Sequence, residues 1–286
     1  MAEPGLRLAV TIRDDSPRVI AVRDAIVDHL ACQPGVRVSV FGTPDQMKIG
    51  RRQVDLVMVL GGDGTILRTC RKLGSRQLPI VGINLGTLGF LADLSPDEFQ
   101  SRFPEIRARQ FSVVPHLMYN CRLIRANGTQ ENHLGLNEVT ILAGSALRML
   151  RVHLAIDGKD VTTYRCDGLI ISTPVGSTAH SLAAGGPILR QDLQAFVITP
   201  ICPHTLTNRP VVDSADSVYC LSFPEVPEGV TLVIDGQIKL PLQNGDRVEV
   251  RKAPVDFQLV RFADHSYYAT LHDKLGWGGQ PSLNGQ

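Results

Sequence analysis

The run Gly61-Gly62-Asp63-Gly64-Thr65 lies directly after the apolar stretch 55–60 (DLVMVL) and before a helical stretch from Ile66 to Leu73. Glycines let backbone come close to a ligand. A helix N-terminus after a parallel strand offers free N–H groups and the positive end of a dipole to phosphate. An aspartate in such a turn repels phosphate unless it has a task, such as holding a divalent metal or orienting an attacking hydroxyl. The plainer alternative is a tight turn in which Asp63 is the N-cap of a helix beginning near Thr65. Competing phosphate templates fail: there is no GxxxxGK[ST], and the Gly82, Gly86, Gly89 series misses the GxGxxG spacing.

A second cluster runs from Asp167 to His180 (DGLIISTPVGSTAH). An apolar strand enters a turn dense with hydroxyls, from Ser172 to Ser181, among small residues that expose backbone N–H and C=O groups. Such a surface can hydrogen-bond a nucleoside while His180 packs on a base; the alternative is a Ser/Thr-rich connection with a structural histidine. Gly185-Gly186-Pro187 makes a further sharp turn. Asn137-Glu138, in LGLNEVTI, is a polar pair on an otherwise apolar strand, alternatively an edge or a capped strand end.

The elements around these residues change character along the chain. Leu6 to Ile12 reads as a strand, and Ser16-Pro17 begins a helix whose apolar stripe includes Val19, Ile26 and Leu30 until Pro34-Gly35 stops it. Val36 to Val40 alternates as a strand, and 55–60 and Pro79 to Ile83 read as strands buried in a parallel sheet. From about Val113 the pattern becomes short β segments separated by Asn127-Gly128, Asp157-Gly158 and Asn244-Gly245, pairs that favour tight hairpins. The expected fold class is an α/β N-terminal domain with a parallel sheet plus a β-rich, β-sandwich-like C-terminal domain. The expected division is 1–112, 113–256, and a tail 257–286 returning to the first domain.

The chain has 286 residues, 43% apolar and 20% charged, with a net charge of +1, so no basic excess holds nucleic acid. Its 23 arginines against six lysines fit a general preference for arginine. Six scattered cysteines form no zinc spacing and read as free thiols. No apolar run approaches the ~18 residues of a membrane span. The expectation is a cytoplasmic protein without nucleic-acid or membrane partners.

Taken in order, GGDGT, Asn137-Glu138 and DGLIISTPVGSTAHSLAAGG closely resemble the NAD kinase family, as do ITPICPHTLTNRPVV and the IDGQ at Asp235. The resemblance covers about Leu56 to Trp277 and rests on joint order and spacing. It implies transfer of the terminal phosphate of ATP to the adenosine 2′-hydroxyl of NAD, an α/β nucleotide domain followed by a β-rich one, and a homodimer or homotetramer. It further implies Asp63 as proton acceptor and Gly64 as its neighbour against the substrate. Asn137 and Glu138 would hold the adenosine. Arg148, Arg165 and Asp167 would make further dinucleotide contacts, Asp167 towards the nicotinamide. Thr178, Ala179, His180, Ser181, Leu182 and Ala183 would wrap the nucleoside, and Gln237 would add a polar contact. His180 stands where the family commonly has Tyr, and Ala183 where it often has Ser.

Phosphoryl transfer needs alignment and charge neutralisation. A divalent cation such as Mg²⁺ is therefore expected to bridge the ATP phosphates, with no protein metal cage, and Gly61, Gly62 and Thr65 are candidate phosphate contacts. Arg68, one turn beyond Gly64, is a further phosphate candidate or a solvated helix charge. Rival classes are a lipid kinase of the diacylglycerol kinase type, which shares the GGDGT turn, and a non-catalytic dinucleotide sensor.

Overall fold

The computed structural model describes residues 5–50, 53–86, 89–92, 94–144, 149–264 and 266–276. Its first elements are β1 (Leu6–Ile12), α1 (Pro17–Ala31), β2 (Val36–Val40), β3 (Leu56–Leu60), α2 (Asp63–Leu73), β4 (Ile80–Ile83), α3 (Pro96–Arg107) and β5 (Ser112–His116). Then come β6 (Tyr119–Ile124), β7 (Gln130–Gly135), β8 (Glu138–Leu142), β9 (Leu150–Ile156), β10 (Lys159–Cys166), β11 (Gly168–Ser172) and the single-turn α4 (His180–Ala183). The order ends with β12 (Ala195–Ile201), β13 (Val211–Ser214), β14 (Tyr219–Ser222), β15 (Thr231–Ile234), β16 (Ile238–Pro241), β17 (Arg247–Lys252), β18 (Phe257–Arg261) and α5 (Tyr267–Leu275). The described residues form two compact units, one from those within 1–66, 79–114 and 259–286, the other from those within 67–78 and 115–258. Helix α2 therefore gives its first turn to one unit and its remainder to the other.

The first unit is built on a sheet in the order β2-β1-β3-β4-β18-β5. Its pairings from β2 to β18 are parallel. Every residue of β3 is buried, which is why its sequence is continuously apolar. Helix α1 starts at Pro17, whose missing N–H costs nothing there, and buries Val19, Ile26 and Leu30. Helix α3 has a reciprocal cap: Ser95 Oγ accepts from the Glu98 N–H, and the Ser95 N–H donates to Glu98 Oε2. It buries Phe99, Phe103 and Ile106, and Phe103 meets the His29 ring edge-on at 5.8 Å.

One boundary needs correcting. Helix α2 begins at Asp63 rather than near Thr65, because the Thr65 and Ile66 N–H groups both donate to the Gly62 carbonyl and wind the first turn onto the glycine pair. Gly61 permits this, since a Cβ there would lie 2.4 Å from Thr65 Oγ1.

The second unit contains two antiparallel sheets, β10-β9-β14-β17-β6-β7 and β13-β12-β11-β8-β15-β16. One apolar cluster draws on both, with Tyr119, Leu154 and Tyr219 from the first sheet and Ile141, Leu169 and Phe196 from the second. The result is the expected β-sandwich-like arrangement. Asp157-Gly158 and Asp235-Gly236 have paired positive φ values, 49° and 75°, and 48° and 67°, the geometry that matches hairpin twist.

Gly82 marks a close approach in the first unit: a Cβ there would lie 2.7 Å from Ile66 Cδ1 and 2.8 Å from Ala92 Cα. Gly82→Ala is expected to cost ~1–3 kcal/mol through overpacking, read from denaturant unfolding. At Gly62 an added Cβ meets nothing within 4 Å, so Gly62→Ala should unfold close to the wild type.

Candidate functional site

In the first unit the chemistry centres on Asp63. Its carboxylate does not cap its own helix. Oδ2 accepts from the Phe90 N–H at 2.8 Å, and Oδ1 accepts from the Leu91 and Ala92 N–H groups at 3.0 Å each. Oδ2 therefore keeps a lone pair for a ligand hydroxyl. The donor loop is itself braced. Asn84 Oδ1 accepts from the Gly86 N–H, Asn84 Nδ2 donates to the Ala92 carbonyl, and Arg261 donates to the Phe90 carbonyl. A Cβ on Gly89 would lie 2.0 Å from Asp63 Oδ1, so glycine is required there. Gly64 is exposed, Asp63, Gly62 and Arg68 are half-buried, and Gly61 and Thr65 are buried.

In the second unit the organising group is Asp235, which the sequence presents within IDGQ without assigning it a role. Its carboxylate, with no solvent-exposed side-chain surface, accepts from Arg71 Nη1 at 2.8 Å and the Tyr119 hydroxyl at 2.9 Å. It also accepts from the N–H groups of Leu136, Asn137 and Glu138 at 2.8–3.2 Å. Three consecutive amides thus converge on one buried anion, and this fixes the Asn137-Glu138 pair. Arg71 also donates to Gln237 Oε1. The only local sequence signal for Asp235 is the Asp-Gly pair of the β15–β16 hairpin, which reads as turn chemistry.

The hydroxyl-rich segment reaches the same place. Ser172 is opposite Glu138 in the β11–β8 register, and the Thr173 N–H donates to the Asn137 carbonyl at 2.9 Å. Thr173 Oγ1 donates to the Leu136 carbonyl. Gly176 approaches so closely that a Cβ would lie 2.2 Å from the Asn137 oxygen.

Not every expected ligand contact faces outward. Ser181 is fully buried and shares a 2.9 Å hydrogen bond with Thr199, and Thr178 donates to the Val175 carbonyl. His180 and Ala183 are exposed, and Ala179 and Leu182 half-buried. Exposed Arg165 and Asp167 lie at the opposite end of the five-residue β11 from Ser172, on the order of 17 Å away. His204, not singled out from sequence, faces Asp167 at 3.3 Å and donates its backbone N–H to the Arg165 carbonyl. Arg148 lies outside the described residues.

Electrostatics separate the carboxylates. Glu138 is 4% exposed and its Oε2 has no hydrogen-bond partner among the described residues. Burial, reinforced by the Asp235 charge, pushes its carboxyl up to about 8. Burial, with Asp235 alongside, also raises Tyr119 well above its usual range. Among the described residues no three His, Cys, Asp or Glu side chains group as metal ligands.

Comparison with known proteins covers nearly the whole chain. Residues 19–111 match the model of the ATP-NAD kinase N-terminal domain and residues 136–262 that of the ATP-NAD kinase C-terminal domain. An NAD kinase of Rhodopirellula baltica is 50% identical, covering 90% of this chain and 92% of its own. One from Geotalea daltonii is 42% identical, covering 95% and 99%. Among solved structures, an NAD kinase from Archaeoglobus fulgidus in complex with ATP is 28% identical with a TM-score of 0.76, covering 95% of this chain and 99% of its own. Yeast NADH kinase complexed with NADH is 24% identical with a TM-score of 0.85, covering 99% and 91%, a likeness of fold.

Two outcomes follow from the buried carboxyls. Glu138 keeps its proton in the folded chain while the unfolded carboxyl ionises near 4.5. Its contribution is therefore intact below pH 4.5 and is lost as pH rises through about 8. Glu138→Gln should gain stability over the wild type as pH is raised from 5 to 9, and a constant difference in unfolding free energy would contradict the assignment. Asp235→Asn leaves Arg71 without its counter-charge and should lose ~3–5 kcal/mol in chemical denaturation.

Proposed function

Because the chain belongs to the NAD kinase family, we infer that it transfers the terminal phosphate of ATP to the adenosine 2′-hydroxyl of NAD, forming NADP. The observation that carries the mechanism is the Asp63 carboxylate, fixed by three backbone N–H groups with a lone pair of Oδ2 left open. In this reading Asp63 orients the 2′-hydroxyl and accepts its proton late in the transfer. An aspartate is a weak base at neutral pH, so fixed geometry supplies the larger share of the rate.

The remaining roles are assigned as follows. Gly64 packs beside the acceptor hydroxyl. Asn137 and Glu138 hold the adenosine, and the side-chain amide of Asn137 has no hydrogen bond among the described residues. A protonated Glu138 can donate to the nucleoside. Thr178 to Ala183 wrap it, chiefly through backbone and the exposed His180 ring, because Ser181 is already bonded inside. Arg148, Arg165 and Asp167 contact the rest of the dinucleotide, and Gln237 contributes from its place beside Arg71. Gly61, Gly62, Thr65 and Arg68 face the donor phosphates.

A divalent cation such as Mg²⁺, when bound, neutralises phosphate charge. The functional division 1–112, 113–256 and 257–286 is proposed with these roles. A cytoplasmic location is supported by six free cysteines, and among the described residues no helix is long and apolar enough to cross a membrane. A homodimer or homotetramer is supported by exposed Val211 and Val212 on edge strand β13 and by Leu206, 92% exposed.

The test is direct. Purified protein given NAD, ATP and Mg²⁺ should form NADP, and diacylglycerol should not be phosphorylated. Asp63→Asn should keep most of the NAD affinity while kcat falls at least ~100-fold; near-normal turnover would remove Asp63 from its role. Gly89→Ala should lower kcat in the same direction, because its Cβ occupies the space of Asp63 Oδ1.

A further inference from the structure

A cavity of about 510 Å³ in the first unit is lined by Arg13, Arg18, Asn84 and Ser95, with Val19 and Leu85 on its apolar wall. Its volume falls within the roughly 300–1,000 Å³ of small-molecule sites. Arg13 follows β1 and Asn84 follows β4, so the cavity opens at the carboxyl ends of parallel strands. There the sheet order runs β2-β1-β3-β4, and the chain reverses its direction of winding between β1 and β3, the place where open α/β sheets receive ligands. The strand between β1 and β4 is β3, which leads into Gly61-Gly62. The Arg13 N–H donates to the Leu60 carbonyl at 2.8 Å, and a Cβ on Gly61 would lie 3.0 Å from Arg13 Cβ. The cavity therefore adjoins the GGDGT turn.

Its charge is unbalanced. Asp14 takes Arg13 Nε at 2.6 Å and leaves both terminal nitrogens of that guanidinium unpaired among the described residues. Arg18 has no ion pair or hydrogen bond there. It occupies the first turn of α1, which carries no acidic side chain, and a cation is disfavoured at that end of a helix. A polyanion in the cavity relieves this, and two guanidinium forks suit phosphate oxygens better than ammonium groups would.

We propose that this cavity receives the polyphosphate chain of the phosphoryl donor, with Arg13 and Arg18 as its cationic contacts. The proposal rests on the kinase reading above and adds two donor-binding residues that no motif announces. Asp14 already offsets part of the Arg13 charge, so Arg18 carries the larger share.

Isothermal titration of the full chain with ATP and Mg²⁺, and separately with inorganic tripolyphosphate, tests it. Arg18→Gln should weaken both ligands about tenfold, in the range of a charge-assisted hydrogen bond, and Arg13→Gln somewhat less. Arg18→Lys should recover part of the loss, and NAD binding should stay within about twofold of wild type. Unchanged affinity for both phosphate ligands in the double variant Arg13→Gln/Arg18→Gln would overturn the proposal. Weakened ATP with unchanged tripolyphosphate would also overturn it, because the arginines would then read the nucleoside. NADP formation by the wild type is scored separately, so a misplaced donor site is distinguishable from a failed kinase reading.

Discussion

The Asp235 carboxylate is withdrawn from water and still accepts hydrogen bonds from Arg71, Tyr119 and three consecutive amides. A buried anion with fewer partners would be expelled or neutralised. Here the partners come from α2, from β6 and from the turn into β8, so the cost of desolvation is offset only when all of these elements are in place. The Asn137-Glu138 pair is thereby held through its backbone, leaving the Asn137 side chain for a ligand. The same charge also opposes ionisation of Glu138, whose carboxyl burial pushes up to about 8.

Asp63 is positioned by related physics on different material. Its oxygens accept from the N–H groups of Phe90, Leu91 and Ala92, donors with no side-chain freedom to lose. Both carboxylates are thus aimed by backbone, the arrangement expected where alignment contributes more than basicity to the reaction. Gly89 and Gly82 are part of that arrangement, since each leaves space needed by Asp63 or by the loop that holds it.

What could be read from sequence follows what burial imprints on it. β3, β11 and β12 are buried over most or all of their length and announced themselves as apolar runs. Among the strands that escaped, β7, β10, β13 and β16 are the four edges of the two antiparallel sheets, while β5 and β18 belong to the first sheet. The largely exposed residues of those four edges carry little pattern. Helix α3 also escaped, although Ser95, Pro96 and Glu98 spell a capping box. Among site residues, those inside motifs were legible. The role of Asp235 was not, although IDGQ contains it, because it works by accepting bonds from Arg71, Tyr119 and Leu136, residues 99 to 164 positions away, and nothing local records such contacts. The inward turn of the Ser181 hydroxyl was illegible for a similar reason: its partner Thr199 belongs to β12.

Amide hydrogen exchange at Leu136, Asn137 and Glu138 tests most directly whether the Asp235 carboxylate organises the second unit. If these three N–H groups donate to a buried anion, they exchange only with opening of the core around them, at rates matching the protected amides of β8 and β11. Exchange at the rate of an open turn, with β8 still protected, would contradict the account.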